Sequence, residues 1–261
     1  MFSICPKCKY QRQSVDNGDT GICPSCGLVF AKWVQRQLGA EDVRARPQVD
    51  DAAAQPRITL RERLTYVDEH TDDIAFWGRV ATYVVFFIWG WYFILLDFRG
   101  GEIGESFMHR VNLVFHEAGH MIFIPLGRFM MILGGTLGQL IMPLIVMGAL
   151  IVKNRDNFGG SIGLWWFGQS LMDCAPYIND ARDLQLMLLG GGTGADRPGM
   201  HDWENILTSL GLLQHERRIA WMADALGSLT VMLALAWGGY ILYLQYAKRD
   251  TPRSPPRYGQ D

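Results

Sequence analysis

Long stretches with almost no charged residues constrain this chain more than any other feature of its sequence. Charged side chains are concentrated in roughly the first 75 and the last 15 positions, although the whole chain is 49% hydrophobic and 19% charged. A hydrocarbon core of about 30 Å is crossed by about 20 apolar helical residues, and several stretches are that long. A soluble domain would alternate polar and apolar faces instead. The sequence therefore predicts a mainly α-helical, polytopic integral membrane protein.

The pattern predicts four consecutive parts. They are a cysteine-rich zinc ribbon at 1–33, a polar linker at 34–72, a membrane domain at 73–247 and a basic tail at 248–261. The linker is expected to hold one short surface helix from Thr59 to Glu69.

Five membrane spans are expected within the membrane domain. They are predicted at 76–98, 107–126, 129–152, 161–178 and 221–246. The third contains the glycine-rich segment 134–138, which favours extended or re-entrant backbone, a conformation tolerated at membrane depth only where protein or water covers it. Basic residues are shared equally between the two sides, so the positive-inside rule does not indicate an orientation.

Two C-x2-C pairs form the N-terminal module. Cys5 and Cys8 are followed, after fourteen residues, by Cys23 and Cys26. Four thiolates at such spacing bind zinc tetrahedrally at about 2.3 Å, and a module too short to bury a core would be folded by its metal. The alternative is two disulfides in an exported head. The pattern resembles the zinc ribbons at the starts of many bacterial proteins, and it predicts structural zinc and a cytoplasmic N-terminus. The fifth cysteine, Cys174, lies in a predicted span and is expected to pack there.

The run His116-Glu117-Ala118-Gly119-His120 lies in the second predicted span. Two histidines one helical turn apart share a face and can bind one zinc ion. Glu117 lies beside them and can act as general base toward a zinc-bound water. Ionisable side chains are costly in an apolar span, so a functional role is the first hypothesis. The alternative is a pair of histidines satisfied by hydrogen bonds between helices.

A catalytic zinc commonly has three protein ligands and one open position. Candidates for the third ligand lie downstream of the histidines: Asp173, Asp180, Asp183, His201 and Asp202. The run 173–180 is favoured because a helix broken at Pro176 would turn a carboxylate inward. The cluster 179–183 could equally cap a helix at the membrane surface. The His201-Asp202-Trp203 run could equally be a surface loop with Asp202 as the N-cap of the next helix.

The chain resembles the site-2 protease family of intramembrane metallopeptidases. That family has H-E-x2-H in one membrane helix, a glycine-rich segment after it, and Asn-x2-Pro-x4-Asp-Gly in a later helix. Here the HEAGH run and the segment 134–138 match the first two elements, and the likeness covers about residues 107–183. In the third element Asp173 stands for Asn, Pro176 for Pro, and Asp180 for the metal-binding Asp. The Pro-to-Asp interval is one residue shorter, and Ala181 replaces Gly.

The resemblance implies a zinc-dependent intramembrane peptidase in which His116, His120 and Asp180 bind zinc, while Asp173 and His201 remain alternatives for the third position. The expected substrate is a membrane-embedded or membrane-proximal peptide, and the expected location is a bacterial inner membrane with the ribbon in the cytoplasm. The ribbon could bind a protein partner. The formal net charge of −2 gives no reason to expect nucleic acid. A non-catalytic zinc-binding assembly factor or sensor, and a metal transporter, are the alternative functions.

Overall fold

A computed structural model describes residues 3–13, 16, 20–45, 59–68 and 71–249. The chain divides into two compact units, Met1–Ile58 and Thr59–Asp261. Within the described residues the protein is mostly α-helical and contains isolated β-bridges but no strand. Residues 46–58 and 69–70 of the predicted linker, and the tail beyond Arg249, lie outside these residues.

The first unit contains two knuckles of the same construction, eighteen residues apart. In the first, the Cys5 amide donates to the Tyr10 carbonyl, and in the second the Cys23 amide donates to the Leu28 carbonyl. The residue after the second cysteine of each knuckle, Lys9 or Gly27, is left-handed, with φ of 64° and 69°. Helix α1 (Phe30–Ala45) follows. Phe30 packs with the two buried cysteines in a very small core.

The second unit begins with a helix shorter than predicted. Helix α2 covers Leu60–Leu64, and its N-cap Thr59 forms a reciprocal capping box with Glu62. The predicted extension toward Glu69 is wrong over 65–68, where the backbone is not helical, and Glu69 itself lies outside the described residues. The side-chain amide of Asn157 donates to the carbonyls of Arg63 and Tyr66, which fixes this non-helical segment.

Five long helices make up most of the second unit. They are α3 (Asp73–Leu95), α5 (Phe107–Phe123), α6 (Arg128–Val152), α7 (Asn157–Asn179) and α9 (Glu216–Arg249), with the single turn α4 (Glu102–Glu105) before α5. Three segments are long and apolar enough to cross a membrane: Asp73–Leu95, Arg128–Val152 and Leu213–Arg249. The chain is therefore an integral membrane protein. Helices α5 and α7 occupy the other two predicted spans without meeting that criterion, so the count of five spans stays a prediction.

Helix α7 is the centre of the second unit. It packs against α3, α5, α6 and α9, and most of its side chains are buried. Trp165 and Met172 of α7 lie in the main core with Phe93 of α3 and Val231 of α9. Pro176 lies inside the helix, which continues to Asn179. A helix broken at Pro176 was therefore a wrong expectation.

The glycine-rich segment 134–138 is helical, so the expectation of extended or re-entrant backbone is wrong. It lies within α6, which is continuous from Arg128 to Val152. A Cβ atom on Gly119 of α5 would overlap the carbonyl oxygen of Gly134, and one on Gly138 would overlap the carbonyl oxygen of Phe115. The glycines therefore allow α5 and α6 to approach backbone to backbone. A continuous helix also satisfies its own backbone hydrogen bonds, as membrane depth requires.

A polar segment between α7 and α9 returns toward the helices. Gly190, Gly191 and Gly192 all have positive φ, as a tight loop requires. The amide of Ala195 donates to the carbonyl of Leu184, which closes the loop. The short helix α8 (Asp202–Ser209) follows and packs against α6 and α7. This return places the start of α8 beside the HEAGH helix.

Candidate metal centre

Two histidines of α5 and one carboxylate of α8 converge on a single point. The ring centroids of His116 and His120 are 4.7 Å apart. Their Nε2 atoms lie 3.0 Å and 3.3 Å from the same oxygen of Asp202, Oδ2. One ligand atom from each of the three residues lies within 4.8 Å of the others. Ligand atoms of a tetrahedral zinc with bonds of 2.0–2.2 Å are about 3.3 Å apart, so the group is large enough for one metal ion.

The outer nitrogens of both rings have defined acceptors. His116 Nδ1 is 3.0 Å from Oε1 of Gln139, and His120 Nδ1 is 2.8 Å from the carbonyl oxygen of Met131. The Gln139 amide is oriented by its nitrogen, which donates to the carbonyl of Ser170 at 3.3 Å and also contacts Cys174 Sγ. Both Nδ1 atoms therefore face oxygens that only accept, and both carry the hydrogen. Metal-binding histidines are commonly oriented in this way.

If both rings are neutral, this arrangement leaves the inner nitrogens without a hydrogen. A neutral imidazole protonated at Nδ1 has a lone pair at Nε2. Two such lone pairs and a carboxylate oxygen meet at 3.0–3.3 Å, where they repel one another unless a cation or added protons lie between them. Two imidazolium rings at this separation would repel each other in turn. A divalent metal ion would resolve the conflict with both rings neutral.

Gly135 of α6 forms the wall of the same site. A Cβ atom at this position would lie 2.5 Å from His116 Nε2 and 2.6 Å from His120 Nε2. The absent side chain therefore leaves space at the two Nε2 atoms. The glycine-rich segment therefore does two things. It allows α5 and α6 to pack closely, and at Gly135 it leaves room beside the two histidine rings.

Glu117 lies next to His116 on α5 and is half-buried. Within the described part of the chain its carboxylate makes no hydrogen bond or ion pair. Its charge acts electrostatically on His120 and on Tyr177. Glu117 therefore directly follows one of the two histidines and has no fixed partner, so its carboxylate is available to accept a proton.

Asp180, the residue predicted as third ligand, is not part of this group. Its carboxylate accepts the amides of Gln185 at 2.8 Å and Leu186 at 2.9 Å, and one oxygen lies 3.4 Å from His201 Nε2. Burial raises the pKa of Asp180, but the nearby His201 ring and the two donating amides outweigh this effect, so the pKa lies below its usual value. Asp180 stabilises the turn after α7, while Asp202 occupies the third position beside the histidines.

His201 supports Asp202 rather than joining the ligands. It is fully buried and is the N-cap of α8, where its Nδ1 accepts the amide of Glu204 at 3.2 Å. The expectation that Asp202 is the N-cap is therefore wrong by one residue. With Nδ1 acting as acceptor, the ring carries its hydrogen at Nε2, directed toward Asp180. The Asp180–His201 pair thus fixes the first turn of the helix that carries Asp202.

The two remaining acidic candidates lie away from the histidine pair. Asp173 is buried, 3.0 Å from His109 Nδ1, and accepts the side-chain amide of Asn112 at 3.1 Å. Asp183 is exposed and lies 3.7 Å from Arg217. Asp173 belongs to a polar network between α5 and α7, and Asp183 to a surface ion pair.

The four N-terminal cysteines converge in the first unit. Cys5 Sγ is 3.8 Å from Cys26 Sγ, and Cys8 Sγ is 3.6 Å from Cys23 Sγ. All four cysteines are free thiols. Sulfurs around a zinc ion at about 2.3 Å are about 3.8 Å apart, whereas a disulfide requires about 2.05 Å. The cluster can therefore hold a metal ion, as the spacing predicted.

Sequence reasoning missed several residues of the membrane site. Gln139 and the Met131 carbonyl were not predicted, Gly135 was predicted only as part of the glycine-rich segment, and Asp202 was only one of five candidates. The amide Gln139 within an apolar span was an available signal, because a buried amide needs partners. For the Met131 carbonyl no signal in the sequence exists, since any residue there would supply it.

Comparison with models of protein families, with curated protein sequences and with solved structures finds no match to this chain. The structure defines the chain as a mostly helical membrane protein with a four-cysteine cluster and a separate His-His-Asp cluster.

Proposed function

We propose that this protein is a zinc-dependent intramembrane peptidase whose metal is held by His116, His120 and Asp202. The observation that carries the proposal is the convergence of two Nε2 atoms on one carboxylate oxygen, at 3.0 Å and 3.3 Å. Nitrogen and oxygen ligands of this kind suit zinc, and three protein ligands leave one position open for water or substrate.

The motif around the ligands supports hydrolysis. A zinc ion at this position would lower the pKa of a coordinated water toward about 7 and polarise a carbonyl group. Glu117 accepts a proton from the water as the water oxygen attacks the carbonyl carbon of the peptide bond. When the C–N bond breaks, Glu117 returns that proton to the leaving amine. One water is consumed, and a carboxylic acid and an amine are released.

The surroundings of the site favour a substrate within or near the membrane. On the outer face of the HEAGH helix Val114, Met121 and Ile122 are 65%, 71% and 70% exposed. Such an apolar outer face suits contact with lipid or with an apolar peptide segment. The substrate class is therefore a transmembrane or membrane-proximal peptide.

The likeness to site-2 proteases contributes to the proposal through α5 and α6. The HEAGH helix packs directly on the glycine-rich helix, whose Gly135 borders the ligands. The third ligand departs from the family motif, because Asp202 lies well beyond the matched residues 107–183. In the first unit, Cys5, Cys8, Cys23 and Cys26 would hold a structural zinc. We place this ribbon in the cytoplasm of a bacterial cell, at the inner membrane, where it would bind a protein partner.

The decisive test is Glu117→Gln expressed in cells, with Glu105→Gln as the control outside the site. Quantitative proteomics of the membrane fraction would follow full-length and shortened membrane proteins in cells with wild type or variant. We expect at least one full-length membrane protein to accumulate with Glu117→Gln and not with Glu105→Gln. Zinc content of the purified variant should equal that of wild type.

A non-catalytic zinc-binding membrane protein is the alternative, and the same experiment separates it. Under that alternative Glu117→Gln retains zinc and leaves processing of every membrane protein unchanged. Two histidines and a carboxylate also bind Fe(II). Metal analysis of the purified protein distinguishes an iron centre from a zinc centre. Purification with iron in place of zinc would reject the peptidase.

A further inference from the structure

Tyr177 lies beside the candidate metal centre, on the last turn of α7. Its ring centroid is 6.4 Å from that of His116 and 4.1 Å from that of His201. The side chain is half-buried. The packing of the ring against His201 fixes its position relative to the start of α8.

The phenol oxygen of Tyr177 is an acceptor in this structure. The backbone amide of Asp202 donates to it at 3.1 Å. The carboxylate Oδ2 of the same residue contacts the two histidines. Asp202 therefore contacts the phenol through its backbone and the histidines through its side chain. Among the described residues no group accepts the hydrogen of the phenol.

A donor placed in this way has an evident use in peptide hydrolysis. As water attacks, negative charge develops on the carbonyl oxygen, and a fixed donor near that oxygen lowers the barrier. In a site shielded from water such a donor acts more strongly than in solution. The amide of Asp202 fixes the phenol oxygen while leaving its hydrogen free, as preorganisation requires.

We infer that Tyr177 is a catalytic residue that donates its phenolic hydrogen bond to the carbonyl oxygen of the bound peptide and stabilises the oxyanion formed there. The inference rests on the proposed peptidase function and adds a second catalytic side chain to Glu117. No proton leaves the phenol in this step. The hydrogen bond shortens as charge develops and relaxes when the C–N bond breaks.

The test compares Tyr177→Phe with wild type in the full-length protein, purified in detergent and loaded with Co(II). Acetohydroxamate, which presents a carbonyl oxygen to the metal, is titrated by the visible absorption of the cobalt. Metal affinity is measured separately by competition with a chelator. We expect acetohydroxamate to bind at least tenfold more weakly to Tyr177→Phe, while metal affinity stays within about threefold. Tyr243→Phe, an exposed tyrosine on α9, is the control and should match wild type in both.

Two results would overturn the role of Tyr177. If acetohydroxamate binds equally to wild type and variant, the phenol does not contact the carbonyl oxygen. If metal affinity falls in parallel with acetohydroxamate affinity, Tyr177 only holds Asp202 in place. Failure of the proposed function looks different, since Glu117→Gln would then leave the processing of every membrane protein unchanged, whatever Tyr177→Phe does to acetohydroxamate binding.

Discussion

His116 Nε2 and Asp202 Oδ2 lie 3.0 Å apart although 86 positions separate the two residues. The contact joins the second predicted span to a helix of eight residues in the polar segment. It exists because the glycine loop returns the chain and because the Asp180–His201 pair fixes the start of α8.

Asp202→Asn should abolish tight metal binding at the membrane site, because an amide replaces the anionic ligand. We expect a loss of at least about 100-fold in zinc affinity, measured by chelator competition. Asp180→Asn removes a carboxylate that lies outside the group. It should cause a smaller loss of zinc affinity, because Asp180 only helps to hold the start of α8, which carries Asp202. A larger loss from Asp180→Asn than from Asp202→Asn would show that the ligand assignment is wrong.

Gly135→Ala should prevent metal binding at the histidine pair. The new methyl group would lie 2.5 Å from His116 Nε2, in the space that the metal needs. Gly148→Ala is a matched control on the same helix, because a Cβ there meets nothing within 4 Å. Zinc content of the two purified variants is the measurement, and equal zinc in both would contradict the geometry of the site.

Gln139→Leu should weaken zinc binding without removing a ligand. The substitution takes away the acceptor of His116 Nδ1–H, and the loss of such a partner costs about 10–100-fold in metal affinity. Gln245→Leu replaces another buried glutamine, on α9 and outside the site, and should bind zinc like wild type. If Gln139→Leu keeps full affinity, the acceptor does not orient His116.

Cys8→Ser or Cys26→Ser should remove one of two zinc ions from the purified protein. The first unit has a core of only a few side chains, so we expect it to unfold without its metal. Limited proteolysis should then cut within residues 1–45 while the second unit stays intact. Cys174→Ser is the control, since that thiol lies outside the cluster, and it should retain both ions. A Cys8→Ser protein that keeps two ions would refute the ribbon.

The sequence predicted those parts of the fold that depend on local composition. Charge-poor stretches long enough for a bilayer located the long helices to within a few residues, because helix length and apolarity are properties of consecutive residues. The same local reasoning was wrong at 134–138. Glycine lowers helix propensity in isolation, but here the close contact with Gly119 outweighs that preference.

The candidate site shows the same division. Local sequence was enough to predict the two histidines with Glu117 and the four cysteines, because the spacing along one helical turn or one knuckle brings each set together. Only the tertiary structure selected Asp202 over Asp180 and brought Gln139, Gly135 and Tyr177 to the histidines. Those contacts depend on how the helices pack and on the loop that brings α8 next to α5. The free energy of this packing comes from residues far apart in sequence, so no local pattern predicts it.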